Sequence, residues 1–172
     1  IPNIRESKEG LRIRFGFPIE KKILIFVGRL ENYKKPLDAI ELIKNLSDDY
    51  VLIIIGKGSL KGTMFSKIEE YDVKAKIRYI EAVPNNEIHE YYKLSDFFVN
   101  FNDKEIFGMS ILEAMYQECV VIANDAPGPS FIIENGISGF IVNNLEDMIS
   151  LVNYLPSEIG WNAHNRIISK FN

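Results

Sequence analysis

Phe97-Phe98-Val99 leads through a short loop into Lys104-Glu105-Ile106-Phe107-Gly108-Met109-Ser110-Ile111-Leu112-Glu113-Ala114-Met115. The first run is short, apolar and bulky, which reads as a buried strand. Met109, Leu112, Met115 and Tyr116 recur at helical spacing. The order is therefore strand, loop, glycine turn, helix. Two glutamates stand with seven residues between them, Glu105 in the loop and Glu113 on the helix. N–H groups near Phe107, Gly108 and Met109 can point at a phosphate, and the helix dipole favours negative charge there. The carboxylates can then accept hydrogen bonds from hydroxyls on either side. A nucleoside diphosphate sugar presents that arrangement, with sugar hydroxyls, diphosphate and ribose hydroxyls in line.

The same alternation extends in both directions. Apolar, β-branched runs predict strands at Ile23–Val27, Val51–Ile55, Ile77–Ile80, Phe97–Asn100, Cys119–Ala123 and Phe140–Val142. Helical patterns fall between and after them: Leu37 to Leu46 with Pro36 in its first turn, Leu60–Tyr71, Asn86–Leu94, Met109–Glu118, Leu145–Tyr154 and Ser157–Lys170. Asn85 or Asn86 is the expected cap of the third helix. Alternating strands and helices predict an α/β fold, a doubly wound, Rossmann-like parallel sheet of about six strands with helices on both faces. Ligands of such sheets sit beyond the carboxyl ends of the strands. Gly28-Arg29, Gly56-Lys57-Gly58, Ala82-Val83-Pro84, Asn102 to Glu105 and Asp125 to Ser130 all follow strands, so they gather on that edge.

Composition narrows the class. A chain of 172 residues, 47% hydrophobic and 26% charged, suits one soluble domain with a real core. A net charge of −4 argues against a nucleic-acid binder. The first 22 residues carry more Lys and Arg than Glu and read as a solvated helix. The single Cys119 allows no intrachain disulfide and points to a reducing, cytoplasmic setting. No apolar stretch has the length to span a bilayer, and no signal peptide is visible.

Glu105 to Met115 resembles the paired-glutamate signature of the retaining glycosyltransferases called group 1, or family 4, which have the GT-B fold. Phe26-Val27-Gly28-Arg29-Leu30 resembles that family's F-V-G-R-L segment. Lys35, six residues after Arg29, stands where the resemblance expects a lysine, and Pro36 where it expects glycine. Ile55-Gly56-Lys57-Gly58-Ser59 is similar to its G-x-G turn, Ser95-Asp96 to its Ala-Asp pair, and Asn135 to Val142 to its G-x-x-G segment. The resemblance runs from about Ile23 to Val142. It implies one half of a GT-B enzyme, with residues 1–22 as a lead-in, 23–172 as the donor-binding core, and an absent N-terminal domain that holds the acceptor. It implies a UDP- or GDP-linked sugar as substrate, transfer of a hexose-type sugar to a hydroxyl acceptor, and catalysis without a metal. Peripheral membrane contact would come only through the full-length protein.

The resemblance assigns roles to particular residues. Arg29 and Lys35 become the clamp for the diphosphate, where fixed cations meet the charge of the leaving group. Glu105 becomes the acceptor for sugar hydroxyls and Glu113 for ribose hydroxyls. Gly28, Phe107, Gly108 and Met109 line the phosphate turn, and Val83, with Ala82, falls in the base-binding loop. Gly56 and Gly58 permit a tight turn or the close approach of a ligand. Asp125 to Ser130 reads as a glycine-rich turn before a short helix, or as a plain connection. His89 and His164 read as ordinary helix histidines. Phe101-Asn102, Glu118 and Val120 depart from the family pattern, and Glu118 at a helix end opposes the dipole. Two other readings share these features: a nucleotide-sugar epimerase of related architecture, and a non-catalytic nucleotide-binding or scaffold domain.

Overall fold

The β-branched and aromatic runs form strands because such side chains pack well on a pleated surface buried on both faces. In the computed structural model, which describes residues 1–154 and 158–171, they are β1 (Lys22–Val27), β2 (Tyr50–Ile55), β3 (Ile77–Ile80), β4 (Phe97–Asn100), β5 (Val120–Asn124) and β6 (Phe140–Val142). All pair in parallel, in the order β3-β2-β1-β4-β5-β6. The direction of winding reverses beside β1, between β1 and β4, which is the switch point where doubly wound sheets open a crevice.

Helices cover both faces: α1 (Lys8–Phe15), α2 (Pro36–Lys44), α3 (Lys61–Glu70), α4 (Ile88–Leu94), α5 (Met109–Tyr116), α6 (Pro127–Ile132), α7 (Leu145–Val152) and α8 (Glu158–Lys170). Strand alternation divides the core. Leu24, Phe26, Leu52, Ile54, Val99 and Ile122 point to the side of α2, α3 and α7. Ile23, Ile25, Ile53, Ile55, Phe98 and Val121 point to the side of α1, α4, α5 and α8. The expected start of the last helix at Ser157, and the chain end at Asn172, lie outside the described residues.

Three local expectations change. The strand expected at Cys119 begins at Val120, because Cys119 N–H is committed to the Ala114 carbonyl at the end of α5 (3.0 Å). The cap position of α4 is Glu87, with no side-chain bond, rather than Asn85 or Asn86. The basic N-terminal helix is only partly solvated. Arg12 is 4% exposed. Its guanidinium donates to the carbonyls of Leu94, Ile19 and Lys21 and to Asp96 Oδ2 (2.8 Å), which also accepts from Ile23 N–H (2.8 Å). Lys8 Nζ reaches Asp96 Oδ1 at 3.0 Å. Ser95-Asp96 therefore ties α1 to the start of β1 and the end of α4. Asp125 to Ser130 resolves as the turn into α6, with Pro127 in its first turn.

Candidate functional site

The loops after β1 and β2 are locked to each other. Gly28 N–H donates to the Ile55 carbonyl at 3.0 Å, Leu30 N–H to Lys57 at 2.9 Å, and Leu60 N–H to Leu30 at 2.8 Å. Gly56 has φ 154°, and a Cβ there would lie 1.8 Å from the Gly28 oxygen. A Cβ on Gly58 would lie 2.5 Å from the Leu30 oxygen. These two glycines thus answer to the neighbouring backbone, which accounts for them without a ligand, and Gly58 stands outside the cleft they border.

A cleft of about 740 Å³ opens at the carboxyl edge of β1, β2 and β3. Of the residues expected from sequence, Gly28, Arg29, Gly56, Val83, Met109 and Glu113 line it. Lys35, Glu105, Phe107 and Gly108 do not. Lys57, Asn85, His89, Tyr92 and Ser110 also line it. Ser110 follows from its place one residue past Met109. Lys57 is the middle residue of the G-x-G turn, Asn85 and Tyr92 carried no motif signal, and His89 reads in sequence as an ordinary helix residue.

Position 35 is displaced by its backbone. Lys35 has φ 53°, a left-handed conformation that glycine favours. It serves as the N-cap of α2, and its Nζ pairs with exposed Asp103 at 2.9 Å. The glycine-like position is therefore 35 rather than 36, and the register moves by one. Lys34 is the residue that turns inward. Its stem lies over Gly28, 3.3 Å from where a Cβ would stand, and its Nζ meets Glu105 Oε2 at 3.1 Å. Lys34 so connects Glu105 to the floor of the cleft.

The Glu105 loop is held from behind. Gly128, in the first turn of α6, donates its N–H to the Glu105 carbonyl at 2.8 Å, and a Cβ there would stand 3.0 Å from that oxygen. Asn102 sits buried and bonds the Lys104 N–H (3.0 Å) through its side chain. Gly108, at φ 78°, turns the chain into α5 and has no side-chain cap. A Cβ there would stand 3.1 Å from Ile132 and 3.3 Å from Ile111, whereas Phe107 is 79% exposed. The first turn of α5 is therefore open to an anion on the Met109 and Ser110 side.

Electrostatics separates the acids. Burial pushes the Glu113 carboxyl above its ordinary range, because it is half-buried without a cationic side chain against it. Asp103 is held below the ordinary range by its hydrogen bond with Lys35. Arg29 projects 66% exposed, with Glu31 at 3.9 Å, so it is free to swing over the cleft. Among the described residues, no three His, Cys, Asp or Glu side chains gather to hold a metal ion, and no helix is long and apolar enough to cross a membrane.

Comparison with known proteins places this architecture. Trehalose synthase from Thermococcus litoralis is 26% identical over 176 residues, covering 92% of this chain and 42% of that protein. The chain thus spans less than half the length of that curated relative. The C-terminal domain of a glycosyl transferase group 1 protein, LpcC from Francisella tularensis, superposes with a TM-score of 0.86 at 24% identity, over 97% of this chain and 94% of that domain. Anabaena HepE, solved with UDP-glucose, gives 0.85 at 18% identity, over 99% of this chain and 50% of that one. These likenesses establish the fold as that of the C-terminal domain of GT-B enzymes. The profile of the family described as "Glycosyl transferases group 1" matches residues 7–158, which hold all six strands and helices α1 to α7, and the chain belongs to that family.

Proposed function

We propose that this chain is the donor-binding half of a retaining, family 4 glycosyltransferase, which takes a hexose-type sugar from a UDP- or GDP-linked donor. The observation that carries the reading is the shared cleft of Arg29, Glu113 and the uncapped start of α5. In this reading the diphosphate rests on the Met109-Ser110 turn, with Arg29 swinging onto it. Lys34, rather than Lys35, completes the clamp. Glu113, one turn further along α5, accepts the ribose hydroxyls. Glu105 releases Lys34 to the phosphate and accepts from the sugar.

Catalysis then follows from charge. Breaking the bond between sugar and phosphate leaves negative charge on the departing oxygen, and fixed cations gain strength as it grows. The acceptor belongs to a preceding domain, so this chain binds donor and transfers little sugar by itself. Titration calorimetry with UDP, GDP, their sugars and inorganic pyrophosphate tests the reading. Nucleotide binding tighter than pyrophosphate is expected. Absence of any nucleotide binding would favour the scaffold reading. Product analysis of the full-length protein separates transfer from epimerisation.

A further inference from the structure

His89 stands in the first turn of α4 and lines the cleft. Its Nδ1 is buried and has no hydrogen-bond partner. Tyr92 packs edge-on against the ring, with centroids 6.2 Å apart, which fixes its plane. Burial pushes its pKa below the ordinary histidine value, so the ring is neutral. A neutral imidazole carries one proton. A bare acceptor is the cheaper atom to bury unpaired, since orphaned N–H groups are the rarer defect. On that ground the proton is assigned to Nε2, the other ring nitrogen of this cleft-lining residue.

The position along the cleft says what this donor meets. Sheet order runs from β3 through β2 and β1 to β4, and α5 follows β4. The phosphate-facing groups, Arg29, Met109 and Ser110, stand at the β1 end. Val83, Asn85 and His89 follow β3 at the opposite end. Glu113 lies one turn into α5, between the two groups. A nucleoside diphosphate laid phosphate-first along this line brings its base against His89. This step rests on the donor-site reading above.

We propose that His89 selects the base: its Nε2–H donates to a ring carbonyl, so keto bases (uracil, guanine) are accepted and their amino counterparts (cytosine, adenine) refused. An exocyclic amino group at that place would set donor against donor.

The test is calorimetry of the protein with UDP, CDP, GDP, ADP and inorganic pyrophosphate, repeated on His89→Phe and His89→Gln. The unaltered protein should prefer UDP to CDP, or GDP to ADP, by about tenfold or more, the effect of one well-placed hydrogen bond. Which pair shows it tells uracil from guanine. His89→Phe, which keeps the ring volume, should bring that ratio close to one and leave pyrophosphate affinity unchanged. His89→Gln, whose amide can still donate, should keep part of the preference. Equal affinity of the unaltered protein for keto and amino nucleotides overturns the proposal, with no need for a variant. So does an unchanged ratio in folded His89→Phe. If no nucleotide binds at all while pyrophosphate does, the donor-site reading falls first and this one with it.

Discussion

Lys34 and Glu105 face each other at 3.1 Å, with only 21% and 16% of their side chains exposed. A cation and an anion from segments 71 residues apart in sequence are thereby held together, with the Lys34 stem over Gly28 at the border of the cleft. The two side chains are paired and largely shielded from solvent before a ligand arrives. On the donor-site reading, a phosphate would take over Lys34 and sugar hydroxyls Glu105, so that each partner would be exchanged and neither left bare.

Lys34 and Lys35 should behave differently. Lys34→Met is expected to weaken nucleoside diphosphate binding by about 1.5–3 kcal/mol, the size of a charge-assisted hydrogen bond. Lys35→Met should change it by less than about 0.5 kcal/mol, as for an ordinary surface substitution. Calorimetry on both variants decides. Equal losses would return the clamp to position 35.

Glu113→Gln should trade affinity for stability. Its carboxyl is raised in the folded state, so keeping it ionised works against folding once pH rises above the unfolded value. The glutamine variant should unfold at higher urea than the parent at neutral pH, and the difference should fade as pH falls below about 4, where the parent carboxyl is protonated in both states. Nucleoside diphosphate affinity should drop in the same variant, with pyrophosphate unaffected. A variant that is less stable at neutral pH and binds normally would contradict both halves.

Asp96 runs the other way. Burial alone would raise its carboxyl, but Lys8, the Ile23 N–H and Arg12 together hold it below its ordinary value. Its contribution is present above the unfolded value of about 3.9 and is lost as pH falls through the lower folded value. Asp96→Asn should cost about 2–3 kcal/mol at neutral pH, since it removes the countercharge of buried Arg12. Urea melts of parent and variant should converge as the pH is lowered past the folded value.

Glu118 is a strained position. It has φ 64° and follows α5, where its N–H bonds Met115 and the next N–H bonds Ala114. Glu118→Gly should raise stability by about 0.5–1 kcal/mol by relieving the left-handed side chain. Gly160→Ala should lower it, because the new Cβ would lie 2.5 Å from the Glu118 carbonyl oxygen. Thermal melts of the two variants should shift in opposite directions.

Much of the fold was legible because the strands announce themselves. Val51 to Ile55 and Phe97 to Val99 are buried on both faces, so they read as continuous apolar runs. Ends were less legible: the expected strand at Cys119 depended on a helix-closing bond that no periodicity records. In the site, Arg29 and Glu113 followed from motif and spacing, and both line the cleft. Lys34 did not, because the choice between adjacent lysines is made by a backbone angle at position 35. Nor did His89 and Asn85, which enter the cleft through the way α4 packs after β3. The neighbouring Ala82-Val83 segment pointed to this edge, but nothing at positions 85 and 89 themselves did.

The hydrogen bonds that join the Gly28–Leu30 loop to the Gly56–Leu60 loop extend the sheet beyond its last strand residues. A ligand arriving there finds a floor already paid its ordering entropy. Association should therefore owe little to chain freezing, and backbone amides of Gly28 and Leu30 should exchange with solvent as slowly as those of β1, with or without nucleotide. Any slowing on binding should be confined to the turn from Ile106 to Ser110, whose apolar side chains remain largely in water. On the donor-site reading, then, the tied loops after β1 and β2 would form a fixed floor, and the solvent-exposed turn leading to Met109 and Ser110 would be the side that meets the phosphate.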